Sequence, residues 1–129
     1  MELKKILLVD DSQPFNFLSK TVLKQNKVNC TVVEVLNGQI ALDYLTENQD
    51  WPEVILLDIN MPVMDGFQFL EAYQKLNKQG KETKIFVLSS SSREEDREKS
   101  LSCEGVEDFF DKPLTESHIR IILSKLQSN

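Results

Sequence analysis

Histidine occurs once in this 129-residue chain, as His118, and cysteine twice. Cys30 and Cys103 lie far apart and lack metal-type spacing. That excludes a zinc knuckle or a disulfide framework and leaves two packed, reduced thiols as the expectation. Basic charge is also scarce: 15 Lys and Arg face 21 Asp and Glu, for a net charge of -6. No Lys/Arg cluster offsets this balance, so a nucleic-acid surface is not expected. No apolar stretch approaches the roughly 20 residues needed to cross a bilayer. Ile6 to Val9 is too short for the apolar region of a signal peptide and is followed by two acids, so a cytoplasmic protein without a membrane partner is expected. Repeats, low-complexity tracts and linkers are missing as well. Residues 1–129 are therefore expected to form one domain, with no separate output domain.

What is present is a set of short apolar runs that end in polar residues. The run around which the chain is organised is Val54-Ile55-Leu56-Leu57, bounded by Pro52 and closed abruptly by Asp58. So short a run reads as a strand buried on both faces. Lys5 to Val9 reads likewise and ends in Asp10-Asp11. Thr31 to Leu36 is a second strand in chain order, Lys84 to Leu88 a fourth, running into Ser89-Ser90-Ser91-Ser92, and Val106 to Phe110 a fifth, followed by Lys112-Pro113.

Helical patterns fill the gaps. Ser12 caps a first helix with Pro14 in its first turn, and Phe15, Leu18 and Val22 recur at helical spacing to about Asn26. After Asn37-Gly38, the inner face of a second helix is Ile40, Ala41, Tyr44 and Leu45. Asp65 and Gln68 make a capping box for a third, with Phe67, Leu70, Tyr73 and Leu76 on its apolar face. Ser92 and Glu95 make another for a fourth, from about Arg93 to Cys103. Arg93 to Ser100 contains no hydrophobic residue, so this helix is expected to lean on pairs such as Glu95 with Lys99, at roughly 0.2–0.5 kcal/mol each. Thr115 caps the last helix, whose core stripe is Ile119, Ile122, Leu123 and Leu126.

Five strands alternating with five helices predict an α/β, doubly wound parallel sheet with helices on both faces. Asp10 and Asp11, Asp58, Ser89 and Lys112 then fall at the carboxyl ends of four strands, the edge where ligands bind in such sheets. Each piece alone has an ordinary reading: a solvated turn, a strand-end cap, a serine loop, a surface lysine. Together they are a constellation. Like charges 4 Å apart repel by about 4 kcal/mol at an effective dielectric of 20, so three gathered carboxylates need a cation or raised pKa values. Hard oxygen ligands without His or Cys suit Mg²⁺. A metal, an ammonium and a hydroxyl beside one carboxylate are suited to phosphoryl oxygens, with Asp58 as the natural nucleophile.

The residues Asp10-Asp11, Asp58 with Asn60, Met61-Pro62 and Asp65-Gly66, Ser89, and Lys112-Pro113 closely resemble a receiver domain of the response-regulator family, similar to the stand-alone chemotaxis type, over essentially the whole chain. The resemblance implies a flavodoxin-like five-stranded sheet of order 2-1-3-4-5. It implies that Asp58 accepts a phosphoryl group from a sensor kinase phosphohistidine or exchanges it with a histidine phosphotransfer protein, without turnover as an enzyme. Mg²⁺ would be held by Asp11, Asp58 and the backbone carbonyl of Asn60, with Asp10 acting largely through water. Lys112 would pair with the phosphoryl group, a cis peptide would precede Pro113, and Ser89 and Phe109 would be the switch pair. The change is expected to centre on the loop Ser89 to Ser92, helix four and strand five, and the surface of helix four, strand five and helix five would be presented to a protein target by a monomer or weak homodimer. Ser91 and Asn60 would influence the phosphoryl lifetime.

Other readings have identifiable signatures. An aspartate-nucleophile phosphatase needs a second Asp two residues after the nucleophile, where this chain has Asn60. A flavin mononucleotide binder needs a phosphate cradle after strand one, where this chain has two acids. A degenerate receiver used only for docking would lack part of the acid set. Ile121 falls off the core stripe and is expected to be exposed, His118 to be a surface residue, and Trp51 to pack in its loop.

Overall fold

The computed structural model describes residues 2–78, 80–91 and 93–127. Strands and helices alternate strictly: β1 (Lys5–Val9), α1 (Gln13–Gln25), β2 (Thr31–Val35), α2 (Gly38–Glu47), β3 (Val54–Leu57), α3 (Gly66–Gln74), β4 (Lys84–Ser89), α4 (Glu94–Leu101), β5 (Val106–Asp111) and α5 (Glu116–Gln127). All strand pairs are parallel and the sheet order is β2-β1-β3-β4-β5, as expected.

Because side chains alternate across a strand, each apolar run feeds two cores. Leu7, Val9, Ile55, Leu57 and Ile85 pack on one face with Ala41 and Leu45 of α2 and Phe69, Leu70 and Tyr73 of α3. Ile6, Leu8, Leu56, Phe86 and Phe110 pack on the other with Leu23 of α1 and Ile119, Ile122 and Leu126 of α5. Val54 to Leu57 of the central strand are all buried, which explains the unbroken apolar run. Trp51 is buried as a loop packing residue, its indole N–H donating to the Leu45 carbonyl at 2.8 Å.

Several helix faces differ from the sequence expectation. In α1 the buried residues are Asn16, Ser19 and Leu23, while Leu18 is 44% exposed. The helix is rolled so that Asn16 donates its amide to the Asp10 carbonyl at 3.0 Å, and a small Ser faces the sheet. Ile40 of α2 is exposed; Ala41 and Leu45 are buried in the core, and Tyr44 packs against it half-buried, as does Leu42. In α3 the residue buried beside Leu70 and Tyr73 is Phe69, and Phe67 is half-buried. Leu76 lies beyond the helix end but still packs on that core. The Asp65–Gln68 capping box is present in both directions.

α4 is shorter than the predicted span from Arg93 to Cys103. It starts at Glu94 with Arg93 in the cap position, and Arg93 makes no side-chain cap bond. The expected cap residue Ser92 lies outside the described residues. Ser91 acts nearby instead: its hydroxyl donates to Asp96 and accepts from the Arg93 N–H. Glu95 pairs with Arg93 rather than with Lys99, whose ammonium sits 4.1 Å from the Phe67 ring centroid. Ser100 is the helix's one buried residue.

Candidate functional site

Three strand ends place four charged groups together. Asp10 follows β1 and is 2% exposed, Asp58 follows β3 and is 4% exposed, and Asp11 is open to solvent. Carboxylate oxygens of Asp10, Asp11 and Asp58 all lie within 4.8 Å of one another. From the turn after β5, the Lys112 ammonium reaches 2.6 Å from Asp10 Oδ2 and 3.6 Å from Asp58 Oδ2. The Lys112–Pro113 peptide is cis, and the Lys112 N–H donates to the Ser89 carbonyl at 2.9 Å, tying this turn to the end of β4.

Local bonds fix the two buried carboxylates. The Asp58 N–H donates to the Val9 carbonyl at 2.9 Å, which locks β3 beside β1 at the rim. Asp10 Oδ1 accepts from the Ser12 N–H at 2.9 Å, so both Asp10 oxygens are engaged. Asp58 Oδ1 accepts from the Asn60 N–H at 3.3 Å. The loop carrying these groups is closed by Gly66, whose N–H donates to the Ile59 carbonyl at 3.1 Å. A Cβ on Gly66 would stand 2.6 Å from the Asp58 carbonyl oxygen and 2.6 Å from Ile59 Cα. Glycine is required here by close approach.

Electrostatically the site is under-neutralised. Burial and the neighbouring Asp10 push the Asp58 carboxyl up to about 6, with Lys112 and the Asn60 N–H pulling the other way. Three carboxylates with one ammonium form a hard-oxygen set with negative charge to spare, which fits a divalent cation of the Mg²⁺ kind.

Ser89 and Phe109 lie beside this cluster without joining it. Ser89 is fully buried, and its hydroxyl accepts from the Ser91 N–H at 3.0 Å. Phe109 is 6% exposed and packs against Ile59 and Val87. Arg97 of α4 stands over the Phe109 ring at 6.0 Å and donates to its carbonyl at 3.4 Å. Sequence reading missed Arg97, since a lone arginine on a polar helix carries no signal until β5 is placed beneath it. It also missed what His118 does. The imidazole stacks on Phe110 at 4.3 Å, and its Nδ1 accepts from the Thr115 N–H at 3.1 Å while the His118 N–H donates to Thr115 Oγ1 at 3.3 Å. The predicted Thr115 cap is thus present, with His118 as its reciprocal partner.

The chain is similar to known proteins in sequence and in fold. The family described as response regulator receiver domain matches residues 6–124. Two-component response regulator 24 of Arabidopsis thaliana is 33% identical over 122 residues, covering 93% of this chain and 81% of its own. A two-component response regulator from Cytophaga hutchinsonii has a similar structure, with TM-score 0.89, 26% identity and 98% of each chain covered. The Mn(2+)-bound form of response regulator Rcp1 superposes with TM-score 0.75 and 28% identity, over 97% of this chain and 92% of that one. Curated relatives vary widely in length, the chain spanning 7% of one, 30% of another and 94% of a third.

Proposed function

The chain belongs to the response regulator receiver domain family, and on that premise we propose that it takes a phosphoryl group on Asp58 and signals through the surface of α4, β5 and α5. Receiver domains of two-component systems are generally phosphoacceptors on an aspartate rather than turnover enzymes. The observation that carries Asp58 as acceptor is its position: a buried carboxylate facing Lys112, with two further acids within ligand distance.

The chemistry follows from those neighbours. An Asp58 oxygen attacks phosphorus of a phosphohistidine whose ring carries a proton, the P–N bond breaks as the P–O bond forms, and neutral imidazole leaves. The attacking group must be ionised, and a carboxyl at about 6 is ionised at neutral pH. Lys112 is placed to pair with phosphoryl oxygens, and its short contact to Asp10 keeps it at the rim. Receiver domains bind Mg²⁺ at an acidic pocket. Asp11, Asp58 and the Asn60 carbonyl would hold it here, while Asp10, engaged by Lys112 and Ser12, would act through water. When bound, the cation neutralises charge on the transferring oxygens.

The output would run through Ser89 and Phe109. Ser89 would turn from Ser91 toward the phosphoryl group, and Phe109 would exchange its buried position for another, released from Arg97. Helix α4 buries little and rearranges at low cost. Receiver domains interact with histidine kinases or phosphotransfer proteins. Such a partner is the donor proposed here, in the cytoplasm, with a downstream protein as target and the chain as monomer or weak homodimer.

The test is incubation with Mg²⁺ and acetyl phosphate, followed by intact mass. A base-labile gain of one phosphoryl group is expected, abolished by chelation and by Asp58→Asn. An equal gain in Asp58→Asn removes the assignment.

A further inference from the structure

Lys112 has a third neighbour that the acidic cluster does not explain. Its ammonium lies 4.5 Å from the centroid of the Phe15 ring, and the Lys112 side chain is only 5% exposed. The ammonium therefore meets Asp10 and Asp58 as carboxylates and Phe15 as an aromatic face. Desolvated cations over such faces are held by the ring quadrupole. A lysine has a flexible four-carbon stem, so its aim depends on what surrounds its head.

Phe15 is itself anchored to the site. It stands in the first turn of α1, its N–H donating to Ser12 Oγ at 3.4 Å. Ser12 in turn donates its N–H to Asp10 Oδ1, and Asn16 donates its amide to the Asp10 carbonyl. One helix cap thus fixes both the carboxylate and the ring that flank the ammonium. This also gives a reason for the roll of α1: a buried Asn16 and a half-buried Phe15 both face the rim.

We propose that Phe15 is a positioning residue for phosphoryl acceptance, its ring face holding Lys112 beside Asp58 and excluding water from the ammonium. It rests on the reading of Asp58 as acceptor. In this scheme Phe15 supplies no ligand to Mg²⁺ and acts through Lys112. Tyrosine preserves the aromatic face, whereas leucine keeps apolar bulk without the quadrupole.

The experiment uses the full chain and the variants Phe15→Leu and Phe15→Tyr. In the metal-free protein, the Lys112 Hε protons are expected to be shifted upfield by the ring. The shift should persist in Phe15→Tyr and vanish in Phe15→Leu. With acetyl phosphate and Mg²⁺, Phe15→Leu should react about fivefold more slowly, with unchanged Mg²⁺ affinity, and Phe15→Tyr should react as the wild type does. A Phe15→Leu rate equal to wild type, or unshifted Hε protons in the wild type, overturns the proposal while leaving Asp58 as acceptor. A slower Phe15→Tyr, matching Phe15→Leu, also overturns it. A wild type that gains no phosphoryl mass sinks the acceptor reading and this proposal together.

Discussion

The ammonium of Lys112 lies 2.6 Å from the carboxylate of Asp10, in a pair whose side chains are 5% and 3% exposed. A buried pair stripped of one member leaves the other uncompensated. Lys112→Met is therefore expected to destabilise the metal-free protein by about 3 kcal/mol in urea unfolding at neutral pH. An unchanged midpoint and slope would show that water already screens the pair.

Asp58 makes stability pH-dependent in the opposite sense from an ordinary paired acid. Its folded carboxyl titrates at about 6, against 3.8 for the free group. Between these values the folded state binds more protons, so stability rises as pH falls from about 6 to 4 and is lost again as pH rises through 6. Relative to Asp58→Asn, the metal-free wild type should gain stability across that window. Parallel pH profiles for the two proteins would contradict this.

Gly66 tests how closely the loop after Asp58 is packed. A Cβ there meets the Asp58 carbonyl and Ile59 Cα at 2.6 Å, and both are backbone atoms that cannot swing aside. Gly66→Ala should cost about 2 kcal/mol of stability and slow reaction with acetyl phosphate by about tenfold. Wild-type melting and kinetics together would mean that the loop yields freely.

His118 supplies a second pH effect. Burial pushes its imidazole below the usual value, against an upward pull from Asp111 and Asp108. Its Nδ1 accepts the Thr115 N–H, so protonation removes an acceptor from the α5 cap. The unfolded imidazole takes its proton near 6.5, hence stability falls as pH drops below that value toward the folded pKa. His118→Gln keeps a capping-box acceptor without the titration. Between pH 8 and 5 the wild type should lose more stability than His118→Gln, as read by thermal melts.

The inner strands and the acidic rim were legible because burial on both faces leaves unbroken apolar runs in β1, β3 and β4, and each of these stops at a charged or hydroxyl residue. Val54 to Leu57 with Asp58 is the clearest case. Helix faces were less legible. Phe15, Leu18 and Val22 share a spacing and Val22 does pack on the core, but the buried residues of α1 are Asn16, Ser19 and Leu23, with Asn16 held by its hydrogen bond to the Asp10 carbonyl. Arg97 and His118 act through partners far away in sequence or through ring stacking, and neither leaves a periodic mark.

Apart from Asp96, Arg97 and Lys99, which contact Ser91, Phe109 and Phe67, helix α4 commits one buried position, Ser100, to the domain along its eight residues. Its outer sequence is thus nearly decoupled from whether the domain folds. An engineer could graft a new recognition epitope onto α4 while retaining the acidic rim; on the function proposed above, that helix would be the place to rewire which protein receives the message.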